Sequence, residues 1–291
     1  MTSRNAQRFL LLLAAFLVAS CGTLTKLAYS NATLAYKSLA PMASWMVYEY
    51  VDLDGYQKDW VRDRLNRVMA WHRANELPQY RAFLEHVLAE SNEPFTVDEI
   101  SKAYADLRDH YHRMVEHLLP DAADFFRTLD TEQAAQMEKK FEDDNRKFVK
   151  ESTSGSPDER LKRRADKFNQ HLDAWLGRVT PEQKTLVLQR LELIPDFVED
   201  RLADRRYRQH EVMALIRAKP SKQQMIDGLH KLLVDTESWR RPEFQKRMRE
   251  RDQRMFELLA ALSKTLTPEQ RAHLQGRIRH YLADIGSISG K

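Results

Sequence analysis

The chain has 291 residues, 42% of them hydrophobic and 31% charged. Its 47 lysines and arginines against 43 acidic residues leave a formal charge of +4, too close to balance for a nucleic-acid-binding surface, and one cysteine rules out an intrachain disulfide. Only 8 glycines, with abundant Leu, Ala, Arg, Glu and Gln, favour helix over sheet.

Arg4 and Arg8 precede an apolar run from Phe9 to Leu17, which is too short to span a bilayer and reads as a secretion signal over residues 1–20. Val18, Ala19, Ser20 and Cys21 follow it and resemble the lipobox of bacterial lipoproteins. The resemblance implies cleavage before Cys21 and acylation of that cysteine, which then anchors the protein to a membrane and leaves no thiol for catalysis. Gly22 stands where lipoproteins retained in the inner membrane carry Asp, which implies an outer-membrane location facing the periplasm. The alternative is an ordinary secretion signal with a coincidental cysteine.

Residues 21–52 carry an amphipathic stretch through Leu24, Leu27, Ala28, Tyr36 and Leu39, broken near Pro41 and followed by Trp45, Met46, Tyr48 and Tyr50. It either lies on the membrane surface or forms an N-terminal helix that turns its aromatics into a core; the second is favoured, because aromatics more often supply core area.

A device then recurs four times. Leu53-Asp54 with Gln57, Leu129-Asp130 with Gln133, Val179-Thr180 with Gln183 and Leu266-Thr267 with Gln270 share the form apolar, Asp or Thr, any two, Gln. Each precedes apolar residues at helical spacing, and the pattern is that of a capping box. Asp or Thr accepts from a backbone N–H of the first turn, Gln reaches back to the N-cap N–H, and Pro181 and Pro268 sit where a missing donor costs nothing. Three more boxes pair Thr96 with Glu99, Ser156 with Glu159 and Ser221 with Gln224.

Further helical stripes cover Glu76 to Glu90, Thr96 to Leu119, Leu161 to Trp175 and Met255 to Leu266, and Pro94, Pro120, Pro195, Pro220 and Pro242 mark breaks or helix starts. The polar stretch 151–157 separates an N-terminal helical half, 53–150, from a C-terminal half, 157–285, and the tail 286–291 is expected to fray. The expectation is an all-α protein of antiparallel helical hairpins forming an elongated or two-part bundle.

Chemistry-bearing clusters are sparse. His110, His112, Glu116 and His117 share one predicted helix but form two incomplete pairs, and they read as a solvated face, as do His273 and His280. Asp143-Asp144 and Glu199-Asp200 read as surface charge. Basic runs at Arg160–Lys167, Arg201–Arg208 and Arg240–Arg254 read mainly as helix faces laced with i,i+4 pairs such as Glu250 with Arg254; the competing reading is a surface for anionic lipid head groups or acidic client segments. No metal site, cofactor motif or catalytic constellation is expected.

Two resemblances extend this. Tyr50-Val-Asp-Leu-Asp54, Gln57, the string Trp71-His-Arg-Ala-Asn-Glu-Leu-Pro-Gln-Tyr80, and Glu199-Asp200-Arg201 resemble a family of uncharacterised Gram-negative lipoproteins known as a domain of unknown function. Leu266-Thr267 with Gln270, and the near matches at the other three boxes, are similar to the LTxxQ motifs of Spy/CpxP-type periplasmic chaperones and stress sensors. The first implies lipoprotein and helix and brings no activity; location, helicity and the second point to a non-catalytic binding or scaffolding role, chaperone-like in one form, with a protein client or partner in the periplasm. An envelope enzyme acting on peptidoglycan or lipid, and a structural subunit of an envelope complex, are the alternatives.

Overall fold

The computed structural model describes residues 36–290. Residues 1–20, read as a secretion signal with Val18, Ala19 and Ser20 among them, then Cys21, and the start of the amphipathic stretch at Leu24, Leu27 and Ala28 lie outside the described residues. Within them the protein is all-α, with ten helices and no strand. In chain order these are α1 (Leu39–Tyr48), α2 (Gly55–Glu90), α3 (Val97–Thr128), α4 (Thr131–Thr153), α5 (Pro157–Leu176), α6 (Pro181–Glu192), α7 (Val198–Ala218), α8 (Lys222–Leu233), α9 (Pro242–Ser263) and α10 (Pro268–Ser289).

All seven capping boxes form, with the N-cap side chain accepting from the backbone and the third residue reaching back. They open α2 to α6, α8 and α10, because these polar residues satisfy amides that the helix itself leaves unpaired. Pro94, Pro195 and Pro220 lie between helices and Pro242 opens α9, as expected, whereas Pro120 does not break its helix. Pro78 lies inside α2, joining the two stripes on either side of it into one helix of 36 residues, and Pro120 lies inside α3 without ending it. Each removes one backbone donor, but Leu77, Leu118 and Leu119 are buried beside them, and tertiary packing holds both axes.

Two main cores form. The first joins α1, the N-terminal part of α2, the C-terminal part of α3, α4, the end of α7 and α8, around Met114, Phe126, Leu129, Met137, Ile216 and Leu229. The second joins α5, α6 and α9 with Phe197 at the start of α7. A smaller cluster of Tyr36, Leu39, Leu77 and Ile285 fastens α10 to α1 and α2.

The stretch 151–157 therefore does not divide the cores. It connects α4 to α5, yet α7 and α8 return from beyond it to pack on α4 and α3. Gly228 permits close passage of α7 and α8, since a Cβ there would meet a methyl of Leu215 at 2.7 Å. The expected fraying of 286–291 also needs correction: α10 runs to Ser289, with Ile285 and Gly286 buried. At the N-terminal end, Tyr50 is buried in the first core with Tyr48 packed against it, while Trp45 stays 58% exposed.

Candidate functional site

The four repeated boxes come together in pairs. Gln57 donates from Nε2 to Gln133 Oε1 at 3.1 Å, and Gln133 donates back to Gln57 Oε1 at 2.7 Å. Gln183 and Gln270 make the same exchange at 2.8 and 2.9 Å. Gln133 also donates to the Asp52 carbonyl, Gln183 to that of Thr265 and Gln270 to that of Arg178, in each case two residues before the partner's N-cap. The start of α2 is thus joined to that of α4, and the start of α6 to that of α10.

All four amides are buried, and so are the leading Leu53, Leu129 and Val179, while Leu266 is half-buried. Glutamate could close the same box but could not donate across the junction. The boxes that stand alone end in Glu99, Glu159 or Gln224, none of them buried. These junctions account for the glutamines structurally and offer no reactive group.

The histidines separate. His110 is buried, contrary to its solvated reading, and its Nδ1 lies 2.8 Å from Glu76 Oε2; Arg113 Nε donates to the other oxygen of Glu76 at 2.9 Å. Burial alone would raise the Glu76 carboxyl, but hydrogen bonds from Arg113 and His110 outweigh it and hold the group below its usual range. His72, one turn before Glu76 on α2, is fully buried, with Nδ1 3.0 Å from the Tyr36 hydroxyl and Nε2 without a hydrogen-bond partner among the described residues. Burial pushes His72 down to about 4, so it is neutral. The i,i+4 spacing of His72 and Glu76 was the available sequence signal.

The remaining groups disperse. His117 stacks on Trp71 at 3.9 Å, Glu116 is exposed beside His230, and His273 meets the Trp175 carbonyl. No cluster able to hold a metal ion occurs among the described residues. Asp144, read as surface charge, is buried and accepts from the Tyr50 hydroxyl at 2.6 Å, and Asp200 meets Arg241 and Arg247 of the α9 region. Arg254 donates to the Leu193 carbonyl and leaves the expected pair with Glu250 unmade.

The concave site lies elsewhere. A chamber of about 540 Å³ opens between the start of α3, α5, the turn from α6 into α7, and α9. Ile100, Leu107, Phe168, Ile194, Phe197, Met255 and Leu259 make it apolar. Tyr104 and Leu107 on its wall remain 40% and 39% exposed.

Arginines and acids line it too, and nearly all are already engaged. Arg164 donates twice to the Ile194 carbonyl at 3.2 Å, Arg251 donates to Asp252 at 2.9 Å, and Asp196 faces Arg160 at 3.4 Å. Arg201 differs. Among the described residues its guanidinium has no hydrogen bond or ion pair and lies 5.9 Å from the Phe197 ring centre. Burial, then the neighbouring charges of Arg251 and Arg164, push it down to about 10, against a weaker opposing pull from Asp196. The sequence reads Arg201 as part of a paired basic face; its position four residues after Phe197 is the signal that it shares an apolar wall.

No curated protein and no solved structure matches this chain. Residues 49–245 match the model of a family described as a family of unknown function, DUF6279. The match takes in the first three glutamine boxes, both members of the Glu76–His110 pair and the chamber wall as far as Arg201, while the α9 wall and the fourth box lie beyond it. Since that span exceeds half of its length, the chain belongs to the DUF6279 family.

Proposed function

We propose that this protein is a lipid-anchored envelope protein with a non-catalytic binding role, and that its binding site is the chamber between α3, α5, α7 and α9. The observation that carries the reading is the chamber itself. Its volume falls within the ~300–1,000 Å³ typical of small-molecule sites, and it combines apolar walls with a few charged groups. The anchor is supported by the order of Arg4, Arg8, the apolar run and Cys21, with Gly22 favouring the outer membrane's periplasmic face. Among the described residues no helix is long and apolar enough to cross a membrane.

A binding role suits the site better than catalysis. The acids at the chamber already face arginines, and the buried His72–Glu76–His110 cluster belongs to a different set of helix contacts. The likeness to LTxxQ chaperones extends to the four boxes, whose glutamines serve helix junctions, so the chaperone-like form of the proposal rests on location and helicity alone. A walled chamber favours a small or narrow occupant over a broad client surface.

The test is native mass spectrometry of the full chain extracted from envelope membranes, with Ala103→Phe as a variant that places a ring inside the chamber. A small-molecule adduct on the parent that Ala103→Phe lacks is the expected result. Adducts equal on both, or absent from both, would overturn the assignment. Fractionation of Cys21→Ala checks the anchor separately, with loss from the membrane fraction expected.

A further inference from the structure

We propose that the chamber takes a single-chain anionic amphiphile, with its carboxylate or phosphate head on Arg201 and its acyl chain along the apolar wall toward Leu259. This rests on the binding role assigned to the chamber and adds the chemical class of the ligand.

The charge distribution leads there. A cation drawn partly out of water is normally matched by an acid, because removing charge from water without a partner is unfavourable. This chain follows that rule nearby: on the same helix as Arg201, Asp200 meets Arg241 and Arg247, and Asp204 meets Arg208 and Arg240. At the chamber the rule lapses. Arg201 meets only an aromatic ring among the described residues, with Arg164 and Arg251 adding further positive charge and Asp196 drawn off by Arg160. An anion supplied by a ligand would complete the set.

The apolar part gives the ligand its second property. Phe168, Ile194, Met255 and Leu259 form walls that a small inorganic anion would leave unfilled. Tyr104 and Leu107 stay exposed at the chamber, and covering them with a hydrocarbon chain would remove apolar surface from water. A guanidinium that grips carboxylate or phosphate, beside a hydrocarbon-lined space, is the pairing that an ionised single-chain lipid satisfies.

The test uses the full chain reconstituted in nanodiscs of zwitterionic phospholipid, with diazirine-bearing dodecanoate and dodecanol as photoprobes and peptide mapping as the readout. Dodecanoate is expected to label chamber residues about tenfold more efficiently than dodecanol, a preference that Arg201→Gln erases and Arg201→Lys largely keeps. Millimolar inorganic phosphate is expected not to compete. Equal labelling of the chamber by acid and alcohol would overturn the anionic head while leaving the chamber a binding site. Full competition by phosphate would overturn the amphiphile in favour of a free anion. No labelling of the chamber by either probe would remove both this proposal and the binding role. Should Arg201→Gln fail to fold, Ala103→Phe supplies the loss-of-chamber control and Arg201→Lys the charge-retaining one.

Discussion

Glu76 and Arg201 are both charges drawn out of water, and the protein treats them in opposite ways. Glu76 is 1% exposed and accepts from Arg113 and His110, both from the facing helix α3. Arg201 sits among Arg164 and Arg251, while the chamber's acids face other arginines, Asp196 with Arg160 and Asp252 with Arg251. The first is an internal joint that completes itself, and the second is a vacancy in charge matching that persists in the folded chain. The difference separates a charge that the fold matches internally from one on which the proposed ligand would act.

The largest way to break the matched class is at a glutamine junction. Gln183→Glu would bring two acceptors together in a site that is 2% exposed, remove donors to Gln270 and to the Thr265 carbonyl, and bury a carboxylate. A loss of about 3 kcal/mol in urea unfolding is expected. The solitary box should tolerate the reverse change, with Glu99→Gln leaving the unfolding midpoint nearly unmoved.

Acid probes the same region through His72. Its folded value of about 4 lies below the ordinary 6.5, so as pH falls the unfolded chain binds the proton first. The stabilisation is complete above the unfolded value and is lost between 6.5 and about 4, amounting to about 3 kcal/mol. Glu76 reinforces the sign, since a carboxyl held low loses its contribution as pH drops through its folded value. Thermal unfolding followed from pH 7 to pH 4 should show the fall, and His72→Gln should flatten it.

Smaller effects sharpen the contrast. Glu76→Gln keeps the shape but weakens two charge-assisted bonds, with a cost of about 1–2 kcal/mol by chemical denaturation. Arg201→Gln should act in the other direction: it relieves crowding with Arg164 and Arg251 and should raise the stability of the ligand-free protein by up to about 1 kcal/mol. A loss of similar size would mean that Arg201 belongs to the matched class after all.

How much of this could be read from the sequence follows the distance between partners. Every capping box was legible, because N-cap and third residue lie in one turn. Their pairing was not, because Gln57 meets Gln133 and Gln183 meets Gln270 across separations of 76 and 87 residues. Four of the five boxes with an apolar leader end in Gln, and the fifth, Phe95-Thr96 with Glu99, stands alone; that preference was the available clue. His110 was misread because its partner lies 34 residues away, and Pro120 because burial around it overrides a local preference. The chamber draws its walls from five helices, so no contiguous motif marks it.

The exposed Ser154–Ser156 connection has a consequence for how the molecule comes apart. A protease cutting there would sever the chain without releasing either piece, because α4 stays clasped by α7 while α3 keeps hold of α8 and α9. The protein would be nicked but not halved, and its two fragments would travel as one particle until heat or denaturant undid both cores.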